Sequence, residues 1–468
     1  MTAIGRDGAP LRVAIVGSGP AGFYVAEHLL AADGRTVEID MYERLPMPFG
    51  LVRYGVAPDH EKIKNVTRTF EKKVASRPAF RFYGNVEIGR DLTLDDLRAC
   101  YHQVCFASGA QTDRHLGIPG EDLAGSHPAT AFVAWYNGHP DYRDATFDLS
   151  AKRVAVIGVG NVAVDVARML CRTPDELART DTADYAQAAL AAARIQHVTM
   201  LGRRGPLQAA FTNPEVRELG QLPGADIAVR PEEIALDPLS REALEQADDR
   251  SLRKKMEILE GFAAGTPAGR DRTLTLRFLV SPTELIGDDH AQVRAMRIVR
   301  NTLVRGDGGA LRPRPTDTVE ELPVDLVFRS VGYRGLPIPG LPFDDRRGVV
   351  PNDAGRVVDP DRERTPVPGI YVSGWIKRGP SGVIGTNKPD ALETVRTMLA
   401  DLDAGSVLTP ATPDPEAARA VVETRQPGRI TWDDWQRLDT LERAAGEARG
   451  CPRVKFTSAA EALAALGR

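Results

Sequence analysis

The sequence predicts an α/β protein of two βαβ-type domains, the second inserted into a discontinuous first. Three observations carry this. Gly17-Ser18-Gly19-Pro20-Ala21-Gly22 follows the apolar run 11–16, and Gly158-Val159-Gly160-Asn161-Val162-Ala163 follows the run 152–157. Each opens a helix-like stretch, the context in which a glycine fingerprint has meaning. Shifted by 141 positions, Arg12, Val13, Ala14, Gly17, Gly19, Val25, Ala26 and Leu29 meet identical residues, so the two regions read as an internal repeat. Later strand-like runs, 324–332 and 369–375, again end at small residues, as 104–110 does. The expected domains are therefore 1–112 with 338–468, and an inserted 113–337, each Rossmann-like.

Glycine permits the tight turn and lets backbone approach a pyrophosphate, while the following helix N-terminus offers free N–H groups and partial positive charge. About 20 residues on, a carboxylate should meet the ribose hydroxyls. After the first fingerprint the strand-like run 37–42 ends in Glu43, which fits. A Pro- and Gly-rich stretch, 45–59, leads to a basic helix-like run, 60–74, with strand candidates at 80–82 and 86–88. After the second fingerprint comes a polar, Ala-rich insertion, 173–194. The next strand-like run, 197–202, ends not in an acid but in Arg203-Arg204. A 2′-phosphate repels carboxylate and pairs with guanidinium, so this second site should prefer NADP over NAD. Runs 274–280 and 293–304 alternate as antiparallel strands do. A Pro/Gly-rich crossover, 335–342, precedes the last strand. Residues 390–402 read as a helix, and the region from Pro415 as mostly helical and charged. Two dinucleotide sites on one chain point to electron transfer between two bound dinucleotides.

Bulk properties narrow the field. The chain has 468 residues, 42% hydrophobic, with 60 basic and 64 acidic residues and a net charge of −4. That balance gives no reason to expect nucleic acid or membrane as a partner. The polar start, 1–10, and the lack of a long apolar run make a cytoplasmic location the default expectation. The cysteines, Cys100, Cys105, Cys171 and Cys451, form no C-x-x-C pair. A disulfide relay, a metal site and a chain-bound iron–sulfur cluster are therefore not expected, and inert thiols are.

Longer strings make the reading specific. Residues 48–60 (PFGLVRYGVAPDH), 202–212 (GRRGPLQAAFT) and 374–388 (GWIKRGPSGVIGTNK) resemble the adrenodoxin-reductase type of ferredoxin–NADP reductase, bacterial members above all. The resemblance spans nearly the whole chain, and 443–455 is similar to the family's end. It implies FAD on the first fingerprint and NADP on the second. Carried over by position, FAD is held at Gly17, Gly19, Ala21, Gly22, Glu43, Leu51 and Val86, then at Trp375, Gly382, Val383 and Ile384. NADP is held at Arg114, Gly158, Val159, Gly160, Asn161, Val162, Arg203, Arg204 and Glu215, with Gly382 near the nicotinamide. Wider two-dinucleotide flavoproteins carry Gly-Asp where this chain has Gly374-Trp375.

The implied reaction takes electrons from NADPH through FAD to an iron–sulfur ferredoxin, the cofactors doing the bond-making. His60 and Glu215 are the polar candidates beside the nicotinamide, able to orient its carboxamide and manage protons. Family ferredoxins are acidic, so the basic cluster Arg250, Arg253, Lys254 and Lys255 is the candidate docking surface. A second basic set is Lys62, Lys64, Arg68, Lys72 and Lys73. A monomer is expected. The open alternative is an NADPH-binding flavoprotein that acts as a redox sensor or feeds another acceptor.

Overall fold

A computed structural model describes residues 4–306 and 308–468; of the polar start, Met1 to Ala3 lie outside the described residues. In chain order the strands and main helices begin β1 (Leu11–Val16), α1 (Pro20–Leu30), β2 (Val37–Glu43), β3 (Phe80–Gly84) and β4 (Gln103–Phe106). The middle of the chain gives β5 (Ser126–Pro128), β6 (Arg153–Ile157), α2 (Asn161–Cys171), β7 (His197–Leu201), α3 (Asn213–Leu219), β8 (Ala225–Val229), α4 (Arg250–Ala264) and β9 (Arg272–Arg277). It continues with β10 (Val280–Gly287), β11 (Val293–Arg305), β12 (Leu311–Pro323) and β13 (Leu326–Arg329). The last third supplies β14 (Asn352–Asp353), β15 (Arg356–Asp359), β16 (Thr365–Val372), α5 (Asn387–Asp403), α6 (Pro415–Arg425), α7 (Trp432–Arg449) and α8 (Ala459–Ala465).

Two compact units result. One holds the chain to Thr112, Asn137–Arg143 and Gly332–Arg468; the other holds Asp113–Tyr136 and Asp144–Val331. The first unit's sheet runs β14-β15-β16-β4-β1-β2-β3, with its five last-named strands parallel. The second unit's sheet, β5-β13-β6-β7-β9-β8, is parallel throughout, and β10-β11-β12 form a separate antiparallel sheet. Parallel strands covered on both faces read as continuous apolar runs, which is why β1, β4 and β6 stood out in the sequence.

Three expectations change. The run 60–74 is no single helix but Glu61–Lys64, Val66–Phe70 and a π turn, Glu71–Ala75. Residues 86–88 are not a strand: Asn85 is left-handed (φ 59°), and Val86 N–H turns to the Glu43 carbonyl at 2.9 Å. Residues 274–280 are split by Leu279 at φ 56°: Leu274–Arg277 lie in parallel β9, and only Val280 opens the antiparallel sheet. Alternation reports a half-buried strand without reporting the direction of its partner.

The last helices close the first unit through a buried ion network. Arg53, 6% exposed, pairs with both carboxylate oxygens of Glu442, 1% exposed, at 2.9 and 2.5 Å. Arg453 reaches the same carboxylate at 2.9 Å, and Phe456 N–H donates to it at 2.8 Å. Burial alone would raise the Glu442 pKa, but Arg53 and Arg453 outweigh it and hold the group below its ordinary value. The Arg53 guanidinium also lies over the Trp435 ring at 5.3 Å. Phe49, beside it, is buried at φ 84°, a strained conformation for a bulky residue. Its ring packs 5.4 Å from Phe23 and 5.9 Å from Trp435, and this packing holds the strain in place.

Candidate active site

Both fingerprints have the geometry of a phosphate cradle. Gly17 (φ 109°) and Gly158 (φ 137°) sit in the left-handed region that glycine favours. A Cβ on either would come within 2.5 Å of the Ala107 carbonyl or 2.3 Å of the Ser330 carbonyl. Gly19 and Gly160, in contrast, have nothing within 4 Å of a built Cβ, so the loop is open on the side where a pyrophosphate would lie. They are the N-caps of α1 and α2, and neither helix carries a side-chain cap. The first-turn amides at Ala21 and Gly22, and at Asn161 and Val162, are thus available to an anion. These observations fit dinucleotides at both places.

The two cradles differ at the third fingerprint position. A Cβ on Gly22 would sit 2.1 Å from the Gly17 carbonyl, so α1 lies hard against the loop. Ala163 occupies the matching place in α2 fully buried, which requires that helix to stand off by a methyl group.

Glu43 does more than the fingerprint rule foresees. One carboxylate oxygen accepts Ser18 N–H at 3.0 Å and the Ser18 hydroxyl at 2.7 Å, and the other accepts Leu45 N–H at 3.0 Å. It fixes the loop shape and keeps one lone-pair site for a ribose hydroxyl. The 48–51 segment lies against the same loop. Phe49 N–H donates to the Ser18 carbonyl at 3.0 Å, and a Cβ on Gly50 would touch Gly19 Cα at 3.0 Å. That places Leu51 at the cradle's edge. Val86 is buried with its N–H spent on Glu43, leaving its carbonyl as the group it can offer.

The 374–387 segment is anchored by Asp390, a residue the sequence reading passed over. Asp390 accepts Gly374 N–H at 2.6 Å and the Ser373 hydroxyl at 3.1 Å, and it pairs with Lys377 at 3.2 Å. The turn is tight: a Cβ on Gly374 would lie 2.5 Å from the Ala21 Cβ. Trp375 indole N–H donates to the Ser381 carbonyl at 3.1 Å, and its ring lies 5.3 Å from that of Tyr333. Gly382 and Val383 are exposed and Ile384 half-buried, with Val383 capping the turn that leads into α5. Backbone amides are thus gathered at the start of a 17-residue helix.

In the second unit the Arg203-Arg204 turn follows β7. Among the described residues neither arginine forms an ion pair. Burial, and then the Arg203 charge, lower the Arg204 pKa. Two neighbouring guanidinium groups with no paired carboxylate among the described residues suit a multiply charged anion. A strap, 209–212, closes over the second fingerprint. Ala210 and Phe211 N–H both donate to the Val159 carbonyl at 2.9 and 3.0 Å, and Thr212 N–H to Asn161 Oδ1 at 2.9 Å. Arg114 is exposed and unpaired among the described residues.

His60 belongs to the first unit, where it is the N-cap residue of a four-residue helix without capping it through its side chain. Glu215 belongs to the second, in the first turn of α3, 3.5 Å from a fully buried Arg168 that also pairs with Glu218 and Asp165.

The docking cluster needs a correction. Lys255 is 7% exposed; its ammonium donates to the Ala209 carbonyl at 2.6 Å and lies 5.5 Å from the Phe211 ring centre. It anchors the strap from below and faces no partner. Arg250, Arg253 and Lys254 are exposed, the last two paired with Asp248 and Glu257. In the second basic set Lys64 is buried and Lys73 pairs with Glu27.

Cys100, Cys105 and Cys171 are buried and Cys451 is half-buried. All four are free, and burial pushes Cys105 and Cys171 up to about 12. Among the described residues no helix is long and apolar enough to cross a membrane.

Comparison with known proteins places this geometry. A family profile described as pyridine nucleotide-disulphide oxidoreductase matches residues 11–221. "NADPH-ferredoxin reductase FprA" of Mycobacterium tuberculosis is 47% identical over 462 residues, 97% of this chain and 98% of the relative. The mitochondrial "NADPH:adrenodoxin oxidoreductase" of Bos taurus is 43% identical over 468 residues, 97% of this chain and 92% of the relative. The solved structure of M. tuberculosis FprA in complex with NADPH superposes with a TM-score of 0.91 at 46% identity, covering 98% of this chain and all of that one. Similarity at this level over the whole length of both chains settles the kinship: the chain belongs to the NADPH-ferredoxin reductase family of adrenodoxin-reductase type.

Proposed function

We propose that the protein is an FAD-dependent ferredoxin–NADP reductase, carrying electrons from NADPH to an iron–sulfur ferredoxin. The observation that carries this reading is the asymmetry of its two cradles, one backed by Glu43 and the other followed by a diarginine turn with no acid paired to it. With FAD bound, an enzyme can take electrons from NADPH as a pair and release them singly, as an iron–sulfur acceptor requires. The chain's own part is to bind, orient and exclude water. The first-turn amides of α1 and α2 hold the two pyrophosphates. Glu43 holds the FAD ribose, and Arg203 and Arg204 hold the 2′-phosphate of NADPH. The amides leading into α5, with Gly382, Val383 and Ile384, face the flavin edge and favour negative charge there. Trp375 packs at the same place. His60 and Glu215 orient the carboxamide and hold protons.

The direct test is an anaerobic visible spectrum of the purified protein, read on adding NADPH and, separately, NADH. Flavin bands that bleach quickly with NADPH and slowly with NADH are expected. A protein with no flavin band after incubation with FAD would end the enzyme reading and leave the sensor alternative.

Arg250, Arg253 and Lys254 are the remaining docking residues of the proposal, supported by their exposure along one end of α4. Complementary charge accelerates encounter and makes the rate fall with salt. Reversing all three to glutamate should slow ferredoxin-linked reduction of cytochrome c and flatten its salt dependence, while ferricyanide reduction stays unchanged. A parallel fall in both activities would rule out docking as their role. A cytoplasmic monomer completes the proposal, supported by four free thiols, three of them buried, and by near-neutral charge; gel filtration checks the second part.

A further inference from the structure

The diarginine turn is gripped from outside the parallel sheet. Asn301, on β11, is 3% exposed, and its Nδ2 donates to the Arg203 carbonyl at 2.8 Å and to Ser281 Oγ at 2.8 Å. A carbonyl only accepts, so the amide face turned to Arg203 is fixed as nitrogen. The Arg204 carbonyl is taken by Leu279 N–H at 3.1 Å, and Asn301 N–H donates back to the Leu279 carbonyl at 2.7 Å. Both arginine carbonyls therefore hang on one linked pair, Leu279–Asn301.

Two features show what this pair costs. Leu279 adopts φ 56°, and Asn301 Oδ1 is buried without a hydrogen-bond partner among the described residues. A left-handed leucine and an unpaired buried amide oxygen are both unfavourable. The ladder between β11 and β12 also slips between Val299 and Asn301. Such irregularities re-aim a side chain. Within the antiparallel sheet the amide also meets the Ser281 hydroxyl, which can accept or donate, whereas the Arg203 carbonyl can only accept and so requires the amide nitrogen.

We infer that Asn301 is a positioning residue for coenzyme choice: it fixes the turn so that Arg203 and Arg204 meet one 2′-phosphate together. Two adjacent like charges repel, and a turn without this anchor would relax by splaying them. Burial first, and the neighbouring Arg203 charge second, lower the Arg204 pKa, in keeping with such repulsion. The inference rests on the proposal that the two arginines bind the 2′-phosphate.

The test is calorimetric titration of the FAD-loaded protein with NADP+ and with NAD+, for Asn301→Ala and for the isosteric Asn301→Asp, which keeps the question open if the cavity variant folds badly. Dissociation constants for NADP+ should rise about tenfold in both variants, with NAD+ binding unchanged. Equal weakening of both coenzymes would mean a general packing role and would overturn the inference, as would no change. Arg203→Ala/Arg204→Ala is titrated alongside. If the double variant keeps its preference for NADP+, the parent reading fails; if it loses the preference while the Asn301 variants keep theirs, only this inference fails.

Discussion

Replacing Arg203 and Arg204 with alanine should raise the KM for NADPH by about a hundredfold and leave that for NADH nearly unchanged. A hydrogen bond to a charged group is worth ~1.5–3 kcal/mol, and every 1.4 kcal/mol is tenfold. Neither guanidinium has another ion partner among the described residues, so the substitution breaks nothing else in the turn. The turn itself survives because Asn301 and Leu279 hold it through main-chain carbonyls. Flavin content and ferricyanide reduction with saturating NADH should match the parent protein. Equal effects on both coenzymes would show that the arginines serve the fold rather than the 2′-phosphate.

The second large effect is expected far from the coenzymes. Glu442→Gln should destabilise the protein by about 3–5 kcal/mol in urea unfolding, because it leaves the buried Arg53 charge without its carboxylate. Arg53 shares a four-residue helix with Leu51, so flavin should also be lost more readily on gel filtration. The native pKa of Glu442 lies below its unfolded value. Its contribution is therefore complete above the ordinary glutamate range and fades as pH falls through the lower native value. The variant should lose that part of the acid sensitivity. An unchanged urea midpoint would show that Arg53 finds compensation elsewhere.

What could be read from the sequence was whatever has a local signature. The fingerprints, Glu43 at the end of the strand that follows the first, Arg203-Arg204 at the end of the strand that follows the second, and the buried parallel strands each show in a contiguous stretch of sequence. Lys255 was misread because a run of basic residues looks like a solvated face. The corrective signal was present: Lys255 precedes Met256 and lies four before Leu259, which places it on the apolar side of α4. Leu279 broke an apparent strand because its left-handed conformation is compensated by contacts with the Arg204 carbonyl and the Asn301 N–H, both distant in sequence. Asp390 and Asn301 were invisible for a related reason. Asn301 is a buried polar residue whose partner Arg203 is distant in sequence, and Asp390 reaches back from α5 to the 373–377 turn; neither periodicity nor composition marks such contacts. Glu442 meets Arg53 across nearly the whole chain.

The strand order sets a timetable for biosynthesis. β4 must wait for β16, its neighbour in the sheet, which leaves the ribosome roughly 250 residues later, on the order of 10–50 s at ordinary elongation rates. During that interval β4 presents an unpaired edge, a standing invitation to aggregation. Its defence must come from chaperones or from speed, since Val104, Cys105 and Phe106 offer no charge to deter a stray strand. Gly374 and Asp390, which complete the first cradle, emerge later still. The first cradle is therefore complete only when most of the polypeptide has emerged.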